Sequence, residues 1–219
     1  MDGTTNDTPL TGARVTLRDM TRDDLDALDL WRPFSDPLSK LWNIPRSTSL
    51  GRDLWFVMHG ADPTRRWYAI ERRQDRVIIG TLSLRDIEAP SSARLGISLG
   101  SDYVDHGFGT EAMRTFLPYY FRRLGFQRLV LDVAAANKRA VHVYDKLGFR
   151  LTGSHYRNVP DEMDLSFMQD PAYRPLLPYF RRHFGKMQLQ FLDMVLERRD
   201  WELSQAIAGT QAPGQGARA

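Results

Sequence analysis

Near the middle of the chain, His106-Gly107-Phe108-Gly109-Thr110-Glu111-Ala112 stands between a strand-like run and a helix-like run. Twenty-five residues past Ala112 begins Asn137-Lys138-Arg139-Ala140, continuing through Tyr144-Asp145-Lys146-Leu147-Gly148-Phe149. Glycines at 107 and 109 let backbone approach a ligand closely and open dihedrals closed to other residues. A helix starting near Gly109 aims its free N–H groups and the positive end of its dipole into that loop. Pyrophosphate is the natural occupant of such a cradle. A P-loop is excluded, because no Gly-x4-Gly-Lys-Ser/Thr occurs. A dinucleotide fingerprint fails too: Ala112 fills the third position, but Asp132 lies inside the next strand rather than at its end.

The flanking periodicities extend the pattern. Arg14-Val15-Thr16-Leu17-Arg18 alternates as a half-buried strand, and Thr21 caps a helix carrying Leu25, Leu28 and Trp31 until Pro33. From Phe34 to Pro63 the pattern is irregular, with Pro37, Pro45, Gly51 and Gly60 breaking it into short pieces. Residues 67–70 and 77–84 read as a hairpin, and 95–99 as a further strand before the glycine loop. Ala112, Phe116, Tyr119 and Tyr120 give a helix ending before Gly125; residues 129–133 give a buried strand. Asn137 to Lys146 gives a second helix closed by Gly148, and residues 187–196 a last strand. The order is that of a mixed α/β domain. Residues 1–10 and 204–219 are expected to be flexible, and 11–203 to form one domain with an insertion at about 160–185 before the last strand.

Composition narrows the function. With no cysteine, disulfides, thiolate metal ligands and a cysteine nucleophile are excluded, which suits a reducing cytoplasm. A net charge of +3 is too mild to indicate nucleic acid. No apolar run is long enough for a membrane span. The polar, acidic start is unlike a secretory signal. Five scattered histidines give no metal spacing. Acidic residues gather at 19–36 and basic ones around the central motifs, so an anionic ligand fits the middle and a cationic one the beginning.

Residues 95–149 resemble the GNAT superfamily of acetyl-CoA-dependent N-acetyltransferases, and residues 102–112 look most like its ribosomal-protein amino-terminal acetyltransferase branch. The family's loop is Arg/Gln-x-x-Gly-x-Gly/Ala; Val104 stands where its Arg/Gln would be. The resemblance implies a central, mostly antiparallel mixed sheet flanked by helices, with acetyl-CoA as acyl donor and no metal. It implies that main-chain groups of Ile97, Ser98 and Leu99 pair with the pantetheine arm. Asp105, His106, Gly107, Phe108, Gly109 and Thr110 would hold pyrophosphate through backbone N–H groups, with Asn137 and Arg139 as further cofactor contacts. Tyr144 would protonate the departing thiolate. The implied acceptor is a protein or peptide α-amine. A small-molecule amine such as an aminoglycoside or polyamine, or a CoA-binding module without catalysis, remains open.

Other residues carry less. Asn137 doubles as a helix cap, Glu111 complements a helix N-terminus, and Asp86, Glu88 or a water on Ser98 are the available bases. Trp31, Trp42, Trp55 and Trp67, with Phe34 and Phe56, read either as packing or as an aromatic acceptor pocket for a cation. Residues 173–184 read as a lid, a homodimer contact or an amphipathic helix on the sheet.

Overall fold

The computed structural model describes residues 9–210. Nine strands form one sheet: β1 (Leu10–Thr11), β2 (Val15–Asp19), β3 (Arg66–Arg72), β4 (Ile78–Glu88), β5 (Ser92–Leu99), β6 (Arg128–Ala134), β7 (Arg150–Asn158), β8 (Phe180–His183) and β9 (Lys186–Glu197). Five α-helices accompany them: α1 (Arg22–Asp29), α2 (Ser49–Gly60), α3 (Phe108–Pro118), α4 (Lys138–Lys146) and α5 (Arg198–Thr210). The strand order is β1-β2-β3-β4-β5-β6-β9-β7, with β8 also on β9, and every pairing is antiparallel except β5 with β6. This is the mixed, mostly antiparallel α/β architecture expected.

The parallel pair is short. Only Ser92, Ala93 and Arg94 face β6, opposite Arg128, Leu129 and Val130. Beyond Arg94 the two strands part: residues 95–99 keep β4 on one side, and residues 131–134 keep β9 on theirs. The sheet therefore forks. One face carries the main core, where Leu84, Leu95, Leu129, Leu131 and Met194 meet Ala112, Met113, Phe116 and Leu117 of α3, Tyr144 of α4 and Leu147 just past its end. Alternation puts Arg85, Arg94 and Asp132 on the other face, where α1 and α2 cover Ala69 and Ile78 at one end.

Local chemistry explains the helices that frame the fork. In α3 the buried residues 108, 112, 113, 116 and 117 recur at helical spacing and form one apolar stripe. Pro118 has no N–H for the helical ladder, and the chain widens into a π-type turn over Tyr119–Arg123, where the Leu124 N–H reaches the Tyr119 carbonyl at 2.9 Å. α4 begins at Asn137, whose side chain accepts the Ala140 N–H at 3.2 Å. It ends at Gly148 in the left-handed region, with the Phe149 N–H bonded to the Tyr144 carbonyl at 3.0 Å.

Several expectations change. The 34–63 stretch is not uniformly irregular, because α2 spans twelve of its residues. Gly51 does not break that helix; it sits in the first turn, where a Cβ would lie 2.2 Å from the Ser47 hydroxyl. The expected tail from 204 is helical as far as Thr210, since α5 is anchored by Trp201 against Phe121 with ring centroids 5.3 Å apart. Within the expected flexible start, Leu10 already pairs with Leu17; the remainder of that segment up to 8 and residues 211–219 lie outside the described residues. The segment 160–185 holds two 3₁₀ turns, Ser166–Gln169 and Pro171–Tyr179, followed by β8. It contains no amphipathic α-helix, because Pro171, Pro175 and Pro178 interrupt the backbone ladder.

Candidate active site

A cavity of about 670 Å³ occupies the fork. Its lining includes Ile97, Ser98 and Leu99 on the parted edge of β5, then Asp105, Gly107, Gly109 and Thr110 at the start of α3, and Asn137, Arg139 and Tyr144 from α4. Of the twelve residues singled out in the sequence, these ten meet in one space. His106 and Phe108 do not line it. His106 is exposed, and its carbonyl accepts from Arg14 Nη1 at 3.1 Å. The Phe108 ring is buried in the core under the Arg14 guanidinium, 4.7 Å from its centroid. The Phe108 side chain is thus withdrawn from the loop, which leaves only its main chain to a phosphate.

The loop geometry suits an anion. Gly107 caps α3 at φ 79°, a left-handed conformation that a side chain would strain, and Asp105 shares that sign at φ 63°. Alternating handedness turns successive N–H groups toward one concavity at the positive end of an eleven-residue helix. Glu111 does not enter this concavity. Its carboxylate accepts from Arg14 Nε at 2.7 Å and from the Arg14 and Val15 amides, fastening α3 to β2. Arg139 pairs with Asp105 at 3.1 Å at the rim. Val104, in place of the customary polar residue, also lines the cavity.

Tyr144 is held from two sides. The α4 terminus fixes its backbone, and its ring packs on Phe149 with centroids 5.5 Å apart and planes 62° apart, the apolar contact that accompanies this type of helix end. The side chain is 8% exposed yet still lines the cavity. Burial pushes the phenol well above its usual value, and the nearby Asp132 carboxylate adds to that. The hydroxyl is therefore protonated throughout the physiological range.

Phe34 and Trp42, two of the aromatics singled out in the sequence, form the far wall with Leu41, Asn43, Ile44 and Pro45, and Arg85 and Arg157 stand at the base of the fork; these last six escaped the sequence reading. The aromatic cluster thus divides: Trp31, Trp55, Phe56 and Trp67 pack with α1 and α2, whereas Phe34 and Trp42 reach the cavity. The segment 160–185 props up this wall. Phe167 and Phe180 share a buried cluster with Leu38, Val159 and Leu189, against which Leu41 and Trp42 pack, and the Tyr173 hydroxyl bonds to Asp36. The acidic run at 19–36 is largely committed elsewhere. Asp24 binds Arg18, while Asp26 and Asp29 bind Arg52. Asp86, one of the available bases, is exposed and pairs with Arg94 at 3.2 Å.

Asp132, with its side chain 5% exposed, lies beneath the fork between Arg94 at 3.0 Å and Arg157 at 2.9 Å. Its polar character between Leu131 and Val133 was visible in the sequence, but its two partners come from distant strands. Among the described residues, no group of three metal-ligating side chains could hold an ion, and no helix is long and apolar enough to cross a membrane.

The comparisons with known proteins agree with this geometry. A model of the "Acetyltransferase (GNAT) domain" matches residues 14–150. An uncharacterised N-acetyltransferase, p20 of Bacillus licheniformis, is 29% identical over 147 residues, covering 64% of this chain and 81% of that protein. The spermidine N(1)-acetyltransferase of Vibrio cholerae is 26% identical over 138 residues, 63% of this chain and 79% of its own. The crystal structure of spermidine N-acetyltransferase from Vibrio cholerae with CoA and spermine superimposes with a TM-score of 0.63 at 21% identity, over 87% of this chain and 99% of that one. Glycine loop, forked sheet and family match converge: the chain belongs to the GNAT acetyltransferases and is an acetyl-CoA-dependent N-acetyltransferase.

Proposed function

We propose that the chain acetylates the primary amine of a small molecule, by direct attack within a ternary complex. The observation that carries this reading is the continuity of the cavity, which runs from the α3 N-terminus past Tyr144 to the Phe34–Pro45 wall. Donor and acceptor then share one space, and no relay through a protein nucleophile is needed. The same reading treats 11–203 as one catalytic domain and 160–185 as the insertion that shapes its acceptor end. Relatives that acetylate spermidine support a small acceptor over the protein α-amine and the ribosomal-protein branch first expected.

Acetyl-CoA supplies the thioester. The parted edge of β5 offers main-chain groups to its pantetheine arm, and the loop from Asp105 to Thr110 offers amides to its pyrophosphate. The neutral amine attacks the carbonyl carbon, the carbon–sulfur bond breaks, and the sulfur takes the proton held on the Tyr144 hydroxyl. The surplus proton on nitrogen then restores the phenol. Because burial keeps Tyr144 protonated, the acid form is present at every working pH.

The test is thiol release from acetyl-CoA against peptides, polyamines and aminoglycosides, with Tyr144→Phe alongside. We expect small amines to be turned over and peptides not. The variant should lose about 10²- to 10⁴-fold in kcat while keeping the thermal shift produced by acetyl-CoA. Unchanged turnover would remove Tyr144 from the chemistry.

A further inference from the structure

The acceptor end of the cavity has an unusual charge for a polyamine site. Beyond Tyr144 its lining is apolar, from Phe34, Leu41, Trp42, Ile44 and Pro45, except for Asn43 and two arginines. The Asn43 amide is occupied in closing its own loop, accepting from the Phe34 N–H at 2.6 Å. Arg157 is neutralised from beneath by Asp132 at 2.9 Å, and Arg94 is held between Asp132 and Asp86. Arg85 sits opposite Arg94 in the strand register, on the face of the sheet away from α3. Among the described residues it has no ion-pair partner. The single acidic residue lining the whole cavity is Asp105, at the donor end and already paired with Arg139.

A half-buried arginine without an ion-pair partner, lining a cavity that also has an apolar wall, suits an anion, because its planar fork matches a carboxylate and the low-dielectric surroundings strengthen the bond. A polyamine placed there would bring positive charge against Arg85 and Arg157 with no free carboxylate to receive it. The acidic cluster that could have served, at 19–36, is bound to arginines of β2 and α2.

We infer that the acceptor is an amine that also carries a carboxylate, with an apolar body between the aromatic wall and the fork, and that Arg85 binds the carboxylate. This rests on the small-molecule reading above and names its substrate class. Arg157 and Tyr144 line the same cavity. The relatives that act on spermidine would then differ from this chain in the charge of the acceptor end.

The experiment compares L-phenylalanine, L-phenylalaninamide and spermidine as acceptors for the whole protein, by kcat/KM per neutral amine. The acid should exceed its amide by about 10- to 100-fold, the discrimination a charge-assisted hydrogen-bonded pair provides. Arg85→Gln should bring acid and amide within about threefold of each other, and Arg85→Lys should retain part of the preference. The acetyl-CoA thermal shift, retained in both variants, reports that they fold. Preference for the amide or spermidine by the wild type, or an acid-to-amide ratio unmoved by Arg85→Gln, overturns the carboxylate subsite and leaves the small-molecule reading standing. Thiol release with peptides alone overturns the small-molecule reading itself.

Discussion

Glu111 offers the clearest separation of scaffold from chemistry. It lies in the first turn of the helix that carries the glycine loop, close to the site, yet its carboxylate faces β2. Replacing it by alanine leaves the Val15 amide without its acceptor, and Val15 is fully buried. An orphaned buried donor costs about 1–3 kcal/mol. The Arg14 guanidinium is half exposed, so its ion pair adds only about 0–1 kcal/mol. Loss of a negative charge at the helix N-terminus adds about 0.3–1 kcal/mol. Together these predict a loss of about 1–5 kcal/mol, seen as a lower urea midpoint and a Tm lower by roughly 3–20 °C for a chain of this size. The pH dependence is a second check. Burial pushes the Glu111 carboxyl upward, but donors from Arg14 and Val15 outweigh it and hold the group below its ordinary value. Its contribution is therefore complete above the ordinary carboxylate range and is lost as pH falls through the depressed value. The gap between wild type and Glu111→Ala should close in acid. A gap below about 0.5 kcal/mol at neutral pH, or one indifferent to acid, refutes the anchoring role. A collapse of kcat with unaltered stability would make Glu111 part of the reaction.

Two further outcomes follow from the same geometry. Phe167→Ala empties the centre of the cluster behind Leu41 and Trp42 and should cost about 3–5 kcal/mol. It should raise KM for the amine several-fold while leaving KM for acetyl-CoA nearly unchanged; equal effects on both would show that the insertion does not act through the acceptor wall. Asp24→Asn removes a buried carboxylate that accepts from Arg18 at 2.7 and 2.8 Å and from the Thr21 amide at 2.7 Å. Burial alone would raise the Asp24 carboxyl, and these donors bring it below its usual value. Its stabilisation should therefore be present at neutral pH and fade in acid, measurable as convergence of wild-type and variant denaturation midpoints below the carboxylate range.

The proposed donor half of the site was legible in the sequence because the chemistry it would need is local. Gly107 and Gly109 start a helix within a few residues of the amides that would bind phosphate. Asn137, Tyr144, Gly148 and Phe149 belong to one helix with its two caps, and the Schellman-type closure explains both why a glycine follows and why Tyr144 lies on Phe149. Periodicity also sufficed for most strands, since a half-buried strand shows its alternation directly. α2 was obscured because its faces are at most partly buried and its glycine imitates a breaker, although Gly51 sits in the helix's first turn.

The acceptor half is decided by tertiary structure. Phe34 to Pro45, Arg85 on β4 and Arg157 on β7 come together only because β5 and β6 part after three paired residues and the insertion supports the wall from behind. Nothing in the spacing of those residues signals a common cavity. The acidic run at 19–36 was legible only as charge; that Asp24, Asp26 and Asp29 pair with Arg18 and Arg52 is decided by the fold. The sequence by itself determined the donor, because cofactor recognition is carried by continuous segments whose backbone geometry is set by their own residues. The character of the acceptor depends on which distant charges neutralise one another, and only folding settles that.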